Sequence, residues 1–422
     1  MRFIPVLIIF VLIAFLPSVL YSRHIIKTKH GVTGGVVAAY AIPTILILFF
    51  VLIQYASKVG IVDFKVMEWT LWCFLLLFLP SNIYALFYII DKFIILISKK
   101  SCKTLHYIGA ILATIVLLGL IIGAATRHYI QIREVTIYSK NLPKEFDGMR
   151  IAHITDLHIG NLSPRDSYLE KILAKLNEIN PDMLVCTGDM MNLTADEVDG
   201  LDGLFTSINA PLGRYAVMGN HDYGDYSKWE SEEAKQANLM AAYEAYRRVG
   251  FTLLNDSAIQ VETQYIASPQ ERNPAVQYIA SSPLSTIGII GVENWGKPPF
   301  PRYGDLAEAT KNFQPADFNI LLSHDPNHWK SEVSVNEQYK YIDLTLSGHT
   351  HSAQIGFDFN DDCKWSPSQW IFEYWDGLYE KEGQYLFISR GLGYVGIPFR
   401  LGMPAEISVI TIMRNEELII DR

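Results

Sequence analysis

The sequence predicts an α/β fold, a mixed-sheet sandwich with outer helices, preceded by four transmembrane helices. Three observations predict it. Long apolar runs dominate the chain up to Ala125, and ordinary globular composition takes over from Arg127. Beyond that break, strand-like apolar runs alternate with helix-period runs and then give way to a strand-rich half, the pattern of a layered α/β domain. Five of those apolar runs end abruptly in loops that carry Asp, Asn or His, and the carboxyl ends of strands are where α/β sheets bind ligands.

The four apolar runs cover residues 3–21, 36–56, 69–90 and 105–125, each about the 20 residues a bilayer crossing needs. Arg2 precedes the first, but no small-x-small cleavage site follows residues 20–22, so it reads as an uncleaved span rather than a signal peptide. Lys and Arg in the short loops favour the sides after spans one and three as cytoplasmic, by seven to five. That places both chain ends and the soluble domain on the non-cytoplasmic side of an integral, multi-pass membrane protein. No span carries a central charge of the kind that marks an ion path, so the bundle reads as an anchor or a platform for a lipid substrate. Asp91 and Lys92, at the end of span three, read as interfacial.

Charge divides at the same point. Residues 1–126 carry net +7 and the remainder net −16, within a total of −9. So acidic a soluble part excludes a non-specific nucleic-acid binder, because phosphate neutralisation needs basic surface. Cys73, Cys102, Cys186 and Cys363 are scattered without a C-x-x-C pair, so neither a zinc ribbon nor a disulfide framework is indicated.

In order, the soluble part opens with a strand at 134–138 and a polar turn at 141–148. The key strand follows, ending in Asp156-Leu157-His158. Residues 163–179 place Leu169, Ile172, Leu173 and Leu176 at helical spacing, and Asn180-Pro181 stops that helix. A buried strand at 182–187 opens into Gly188-Asp189. A helix is expected around 196–208, then a strand at 214–218 opening into Gly219-Asn220-His221-Asp222. A helix at 232–249 and strands near 251–254, 258–261, 276–280 and 286–291 come next, with a loop at 268–274. Strands at 318–322 and 341–346 open into Ser323-His324 and Gly348-His349-Thr350-His351, and strands at 384–389 and 405–412 close the chain. There is no internal repeat.

Five of the eleven histidines sit in these few loops, beside Asp156, Asp189 and Asn220. A carboxylate, imidazole and amide set of this size can hold two metal ions. Two cations about 3.5–4 Å apart repel strongly unless an anionic ligand is shared between them. In this order, D-x-H, G-D, G-N-H-D, H and G-H-x-H, the motifs resemble the calcineurin-like metallophosphoesterase superfamily over residues 149–412. Ser389-Arg390-Gly391-Leu392-Gly393, with Arg400-Leu401 and residues 404–407, is similar to its membrane-associated bacterial branch.

The resemblance implies a four-layer αββα metallophosphoesterase sandwich. The domain organisation becomes a four-helix membrane region at 1–126, a linker and first strand at 127–148, and the metallophosphoesterase domain at 149–422. It implies that Asp156, His158 and His351 bind one divalent ion, that Asn220, His324 and His349 bind a second, and that Asp189 bridges both. A bridging hydroxide would attack phosphorus in line, His221 would stabilise or protonate the leaving oxygen, and Asp222 would orient His221. Oxygen and nitrogen ligands without thiolate suit manganese, iron or zinc.

This sequence departs from the family pattern where Ser352-Ala353 replace two glycines, and Asn192 stands where a second Asp is common. Singly, each motif would be a surface loop more often than a metal site. His153 reads as a core histidine, and His328 as structural, because Pro326 breaks the His324-x-x-x-His328 spacing. The aromatic stretch 365–379 would rim a substrate groove, touch the bilayer interface, or pack as a loop. The sequons at Asn161, Asn192 and Asn255 read as accidents.

The expected function is a membrane-anchored, dinuclear-metal phosphoesterase that acts on a phosphodiester or pyrophosphate bond. Its expected partners are membrane lipids and a phosphoester, with a lipid-linked substrate as the expected class, and no nucleic acid. The rival from another class is a catalytically silent receptor or scaffold on the same fold.

Overall fold

The computed structural model describes residues 64–162, 165–263, 285–298, 300–360 and 363–415. The first two expected spans, the expected strand at 276–280 and the loop at 268–274 lie outside these residues. The chain divides into two units, Met1–Thr126 with Gly396–Leu401, and Arg127–Val395 with Gly402–Arg422.

In the first unit, α1 (Phe64–Ser98) and α2 (Lys103–Ala125) form a helical hairpin. Both are long and apolar enough to cross a membrane, with mean hydropathy 2.0 and 2.6. Among the described residues these two helices are the candidate spans, at the places of the third and fourth expected spans. Helix α1 runs well past the expected end at 90, because Asp91 organises the turn that follows. It accepts hydrogen bonds from the Cys102 N–H at 2.6 Å and from the Ser101 hydroxyl.

The second unit holds two six-stranded mixed sheets. The first has the order β1 (Ile130–Ser139), β14 (Ala405–Arg414), β2 (Met149–Ile154), β3 (Met183–Thr187), β4 (Arg214–Val217), β5 (Thr252–Leu253). The second has the order β12 (Gly377–Lys381), β13 (Gln384–Ile388), β9 (Leu344–Ser347), β8 (Phe318–Leu322), β7 (Ser285–Gly291), β6 (Ser257–Thr263). A small hairpin pairs β10 (Phe357–Asn360) with β11 (Cys363–Trp365).

Strands buried on both faces explain the continuous apolar runs in the sequence. On β2, Met149 and Ile151 face the second sheet while Ala152 and Ile154 face outward; on β3, Met183 and Val185 face in while Leu184 and Cys186 face out. The inward set meets Phe318, Ile320 and Leu322 of β8 and Leu344 and Leu346 of β9 in one shared core. The outward set of the first sheet is covered by α3 (Arg165–Ile179), through Tyr168, Leu169, Ile172 and Leu176, and by α4 (Glu232–Arg248), through Ala242, Ala245 and Tyr246. Helix α4 starts on Ser231, whose side chain accepts from the Ala234 N–H, an N-cap. The outer face of the second sheet packs on Trp329, Val333 and the short α5 (Leu306–Thr310).

The helix expected around 196–208 is a correction. Only Ala195–Val198 is helical, and as one 3-10 turn. Gly200 and Gly203 adopt φ of 79° and 73°, which ends any helical run there. His153 and His328 are both core residues. His153 contacts the Thr187 hydroxyl at 2.7 Å, and burial lowers its pKa to about 3. His328 Nδ1 lies 2.8 Å from the Ser323 hydroxyl.

Candidate metal centre

Five strand ends deliver the expected residues. β2, β3 and β4 run parallel and end before Asp156, Asp189 and Asn220; β8 and β9 run parallel and end before His324 and His349. The backbone at these ends is unusual. Asp156, His158, Asp189, His349 and His351 adopt φ of 52°, 45°, 52°, 74° and 48°. Left-handed backbone at non-glycine residues is uncommon and clusters at functional sites, where the surrounding structure holds it in place.

Three overlapping groups of ligand-type atoms result, each within 4.8 Å: Asp156 with His158 and His351, His158 with Asp189 and His221, and Asp189 with His324 and His349. In the first, His351 Nε2 lies 3.2 Å from Asp156 Oδ1 and 3.1 Å from His158 Nε2. In the third, His324 Nε2 lies 3.2 Å from Asp189 Oδ2, 3.2 Å from His349 Nδ1 and 3.1 Å from Asn220 Oδ1. Ligands about 2.1 Å from one ion lie about 3.0 Å apart at right angles and about 3.4 Å apart at the tetrahedral angle. The observed separations fall in that window. Asp189 stands in two groups, with Oδ2 also 3.7 Å from His158 Nε2.

His324 tests whether a cation fits. Its Nδ1 lies 2.7 Å from the Thr187 carbonyl, which can only accept, so Nδ1 keeps its proton and Nε2 is the nitrogen whose lone pair a cation would take up. That lone pair faces a carboxylate oxygen, an amide oxygen and a ring nitrogen. Asn220 turns its oxygen inward because its Nδ2 donates to the Tyr226 hydroxyl at 2.9 Å. Acceptors converging in this way need a positive charge among them. A proton on Nε2 is one such charge: burial opposes it, yet Asp189 and Asp156 outweigh burial and raise the His324 pKa to about 10, and a divalent cation would take that proton's place. Burial likewise opposes charge on Asp156 and Asp189, but His351 beside the first and His324 beside the second hold both carboxylates below the usual range. Burial lowers His158 and His349, leaving them as neutral imidazoles, the ligand form. The residues fit divalent cations.

His221 sits at the rim. Its N–H donates to Asp189 Oδ1 at 2.8 Å, its Nδ1 donates to the Asn192 carbonyl at 2.7 Å, and its ring lies 4.7 Å from that of His158 and 4.4 Å from that of Tyr226. The contact expected from Asp222 is thus made by the Asn192 carbonyl. Asp222 instead accepts from the N–H groups of Asp189, Met191 and Gly219 and from the Tyr246 hydroxyl. It ties two ligand loops together from beneath. Desolvation, with Asp189 nearby, raises its pKa to about 7.

Residues 149–353 match the family model described as calcineurin-like phosphoesterase. The chain carries a calcineurin-like metallophosphoesterase domain. Every strand-end motif from Asp156 to His351 lies inside the matched span of that domain. Among curated proteins, the chain is 27% identical to the metallophosphoesterase YkuE of Bacillus subtilis over 289 residues, 68% of this chain and 86% of that one. It is 28% identical to the UDP-2,3-diacylglucosamine pyrophosphatase LpxG of Chlamydia trachomatis over 285 residues, 61% of this chain and 83% of that one. A transmembrane protein with metallophosphoesterase domain from Danio rerio is 26% identical over 289 residues, 66% of this chain and 56% of that one.

The closing segment of the metallophosphoesterase domain supports Asp156. The Leu392 and Gly393 N–H groups donate to the carbonyls of Thr155 and Asp156 at 3.0 and 2.7 Å. Gly391 has φ 73°, and a Cβ there would lie 2.5 Å from that of Asp156, so no other residue allows this approach. Arg390 pairs through Nε with Asp376 at 2.7 Å, and the Ser352 hydroxyl donates to the same Asp376 oxygen at 3.2 Å, which anchors the turn after His351.

That turn carries the departure from the two-glycine pattern. Ser352 and Ala353 sit at φ of 48° and 49°. A Cβ in the left-handed region costs about 1 kcal/mol. Ala353→Gly is therefore expected to stabilise the protein by up to about 1 kcal/mol, read as a higher urea midpoint. An unchanged or lower midpoint would mean that the turn is not strained.

Glu197 escaped the sequence reading because nothing in its local pattern marks it. Its carboxylate accepts from the N–H groups of Gly160, Asn192 and Leu193, joining the loop after His158 to the loop after Asp189. Glu197→Ala leaves three donors unpaired. It is expected to cost about 2–3 kcal/mol of stability, measured by the same urea midpoint, and a loss below about 0.5 kcal/mol would show the link to be idle.

Proposed function

We propose that this chain is a membrane-attached phosphoesterase that uses two divalent ions, manganese, iron or zinc, to hydrolyse a phosphodiester or pyrophosphate bond. The observation that carries the reading is the sharing of Asp189. One carboxylate stands in two of the three ligand groups, as two neighbouring cations require. In this reading Asp156, His158 and His351 hold one ion, Asn220, His324 and His349 the other, and Asp189 both. The ions, when bound, supply positive charge to the phosphoryl oxygens and lower the pKa of water into the neutral range.

The chain's own residues bind, orient and move protons. The Asn192 carbonyl keeps a proton on His221 Nδ1, so Nε2 is the nitrogen that meets substrate; when the ring carries its second proton, Nε2 donates it to the leaving oxygen and the neutral imidazole remains. Tyr226 braces this ring and holds Asn220 with its oxygen turned inward. Asp222 fixes the Asp189 and Gly219 backbone, so both ligand loops keep their spacing.

The two membrane-length helices, and the lipid-linked substrate named for the LpxG relative, support a lipid-linked phosphoester as substrate. The Lys and Arg distribution supports a domain on the non-cytoplasmic side. Cys363 is exposed and reports on this. With Cys73 and Cys102 replaced by Ser, a membrane-impermeant maleimide is expected to label intact cells, and labelling only after lysis would place the domain inside.

Hydrolysis of bis-p-nitrophenyl phosphate by the full-length protein is the test. Turnover with added manganese, stopped by EDTA and restored by metal, is the expected result. A metal-loaded protein that is inert on this diester and on monoester and pyrophosphate substrates would instead assign the fold a binding role, as a receptor or scaffold.

A further inference from the structure

The aromatic stretch 365–379 divides in two. Trp375 is 7% exposed, the Tyr374 ring meets Trp329 at 5.2 Å and Tyr379 at 4.9 Å, and the Trp375 carbonyl accepts from the Thr350 hydroxyl. These rings are core. Trp370 and Ile371 are not: they are 74% and 73% exposed, and Phe359 on the neighbouring β10 is 78% exposed.

A run of exposed and half-buried apolar side chains leads away from the His349 ring. Phe372 meets the His349 ring edge-on at 5.5 Å. Ile371 and Trp370 precede it in the chain. Trp370 meets Trp365 at 5.7 Å, Trp365 stacks on Phe357 at 6.0 Å, and Phe357 stacks on Phe359 at 5.5 Å. The β10–β11 pairing, with Phe357 opposite Trp365, holds the middle of the path in register. A soluble protein rarely leaves so many large apolar groups together in water, and such a patch marks an interaction site.

We propose that this path is the binding strip for the hydrocarbon chain of a lipid-linked phosphoester whose phosphate lies at the metal centre. The proposal rests on the function given above and names its substrate class. Two features select this occupant. The strip begins against a metal-centre histidine, so phosphate and alkyl chain would be bound as one continuous ligand, which a peripheral contact with the bilayer surface does not require. Four residues separate the end of α2 at Ala125 from the start of β1 at Ile130, so a membrane-crossing α2 tethers the domain within reach of lipid.

The test compares methyl, butyl and octyl p-nitrophenyl phosphate diesters, below their micelle concentrations, on full-length protein held in amphipol. A strip covers one side of a chain, about half of full burial, so kcat/KM is expected to rise about twofold per added methylene, roughly 10²-fold from methyl to octyl. Trp370→Ser and Phe359→Ser are each expected to cut the octyl-to-methyl ratio of kcat/KM about tenfold. A flat chain-length series overturns the proposal, as does equal loss of all esters in both variants. If no diester is hydrolysed, and monoester and pyrophosphate substrates are inert as well, the phosphoesterase reading fails by itself. The strip is then judged by quenching of tryptophan fluorescence with a dibrominated octyl phosphonate. Quenching in wild type that is reduced in Trp370→Ser supports the strip, and its absence in wild type removes it.

Discussion

Asp189→Asn is expected to deplete both metal positions and to lower kcat by about 10³-fold or more. The side chain Oδ2 stands 3.2 Å from His324 Nε2 and 3.7 Å from His158 Nε2, and Oδ1 accepts the His221 N–H. The amide keeps the shape but removes the charge that lets two cations approach, and it places N–H hydrogens opposite a histidine lone pair. Metal content by plasma mass spectrometry and turnover of bis-p-nitrophenyl phosphate are the two readouts. Wild-type metal content together with wild-type turnover would end the shared-ligand reading. Loss of one ion with activity retained would reduce the centre to a single catalytic metal.

His221→Ala is expected to lower kcat by about 10²–10⁴-fold while metal content stays at the wild-type level. Its Nδ1 is committed to the Asn192 carbonyl, so Nε2 is the one ring nitrogen left for chemistry. A proton donor matters most when the leaving group is basic, so alkyl esters should lose more than p-nitrophenyl esters. Uniform loss across leaving groups would show that His221 does not act as an acid. Loss of metal would make it a ligand, a role its place beside His158 and Asp189 also allows.

Much of this was legible in the chain. The strands that carry ligands are buried on both faces, so they read as short, continuous apolar runs, and each ends where its polar loop begins. That is why Phe318–Leu322 coincides with its expected strand. The helix expected over 196–208 failed for the opposite reason: apolar residues recur there at helical spacing, but Gly200 and Gly203 hold left-handed backbone that a helix cannot contain. Asp222 misled because it follows His221 directly in sequence. Consecutive residues in an irregular loop point in different directions, and this carboxylate turns down onto the Asp189 backbone instead of toward the imidazole beside it.

The sequence by itself determined which residue types would gather and where. Motif order and apolar periodicity are local properties, and they suffice to put Asp156, His158, Asp189, Asn220, His324, His349 and His351 at strand ends. The two long apolar helices are equally local, because crossing a bilayer demands composition and length alone. Only the tertiary structure decided that the Asn192 carbonyl fixes His221, that Glu197 ties two ligand loops, and that Gly391 admits the closing segment against Asp156. It also separated the buried Trp375 from the exposed Trp370 within one aromatic stretch. These depend on contacts between residues distant in the chain, and no pattern along the sequence carries the direction in which a side chain points across a folded core.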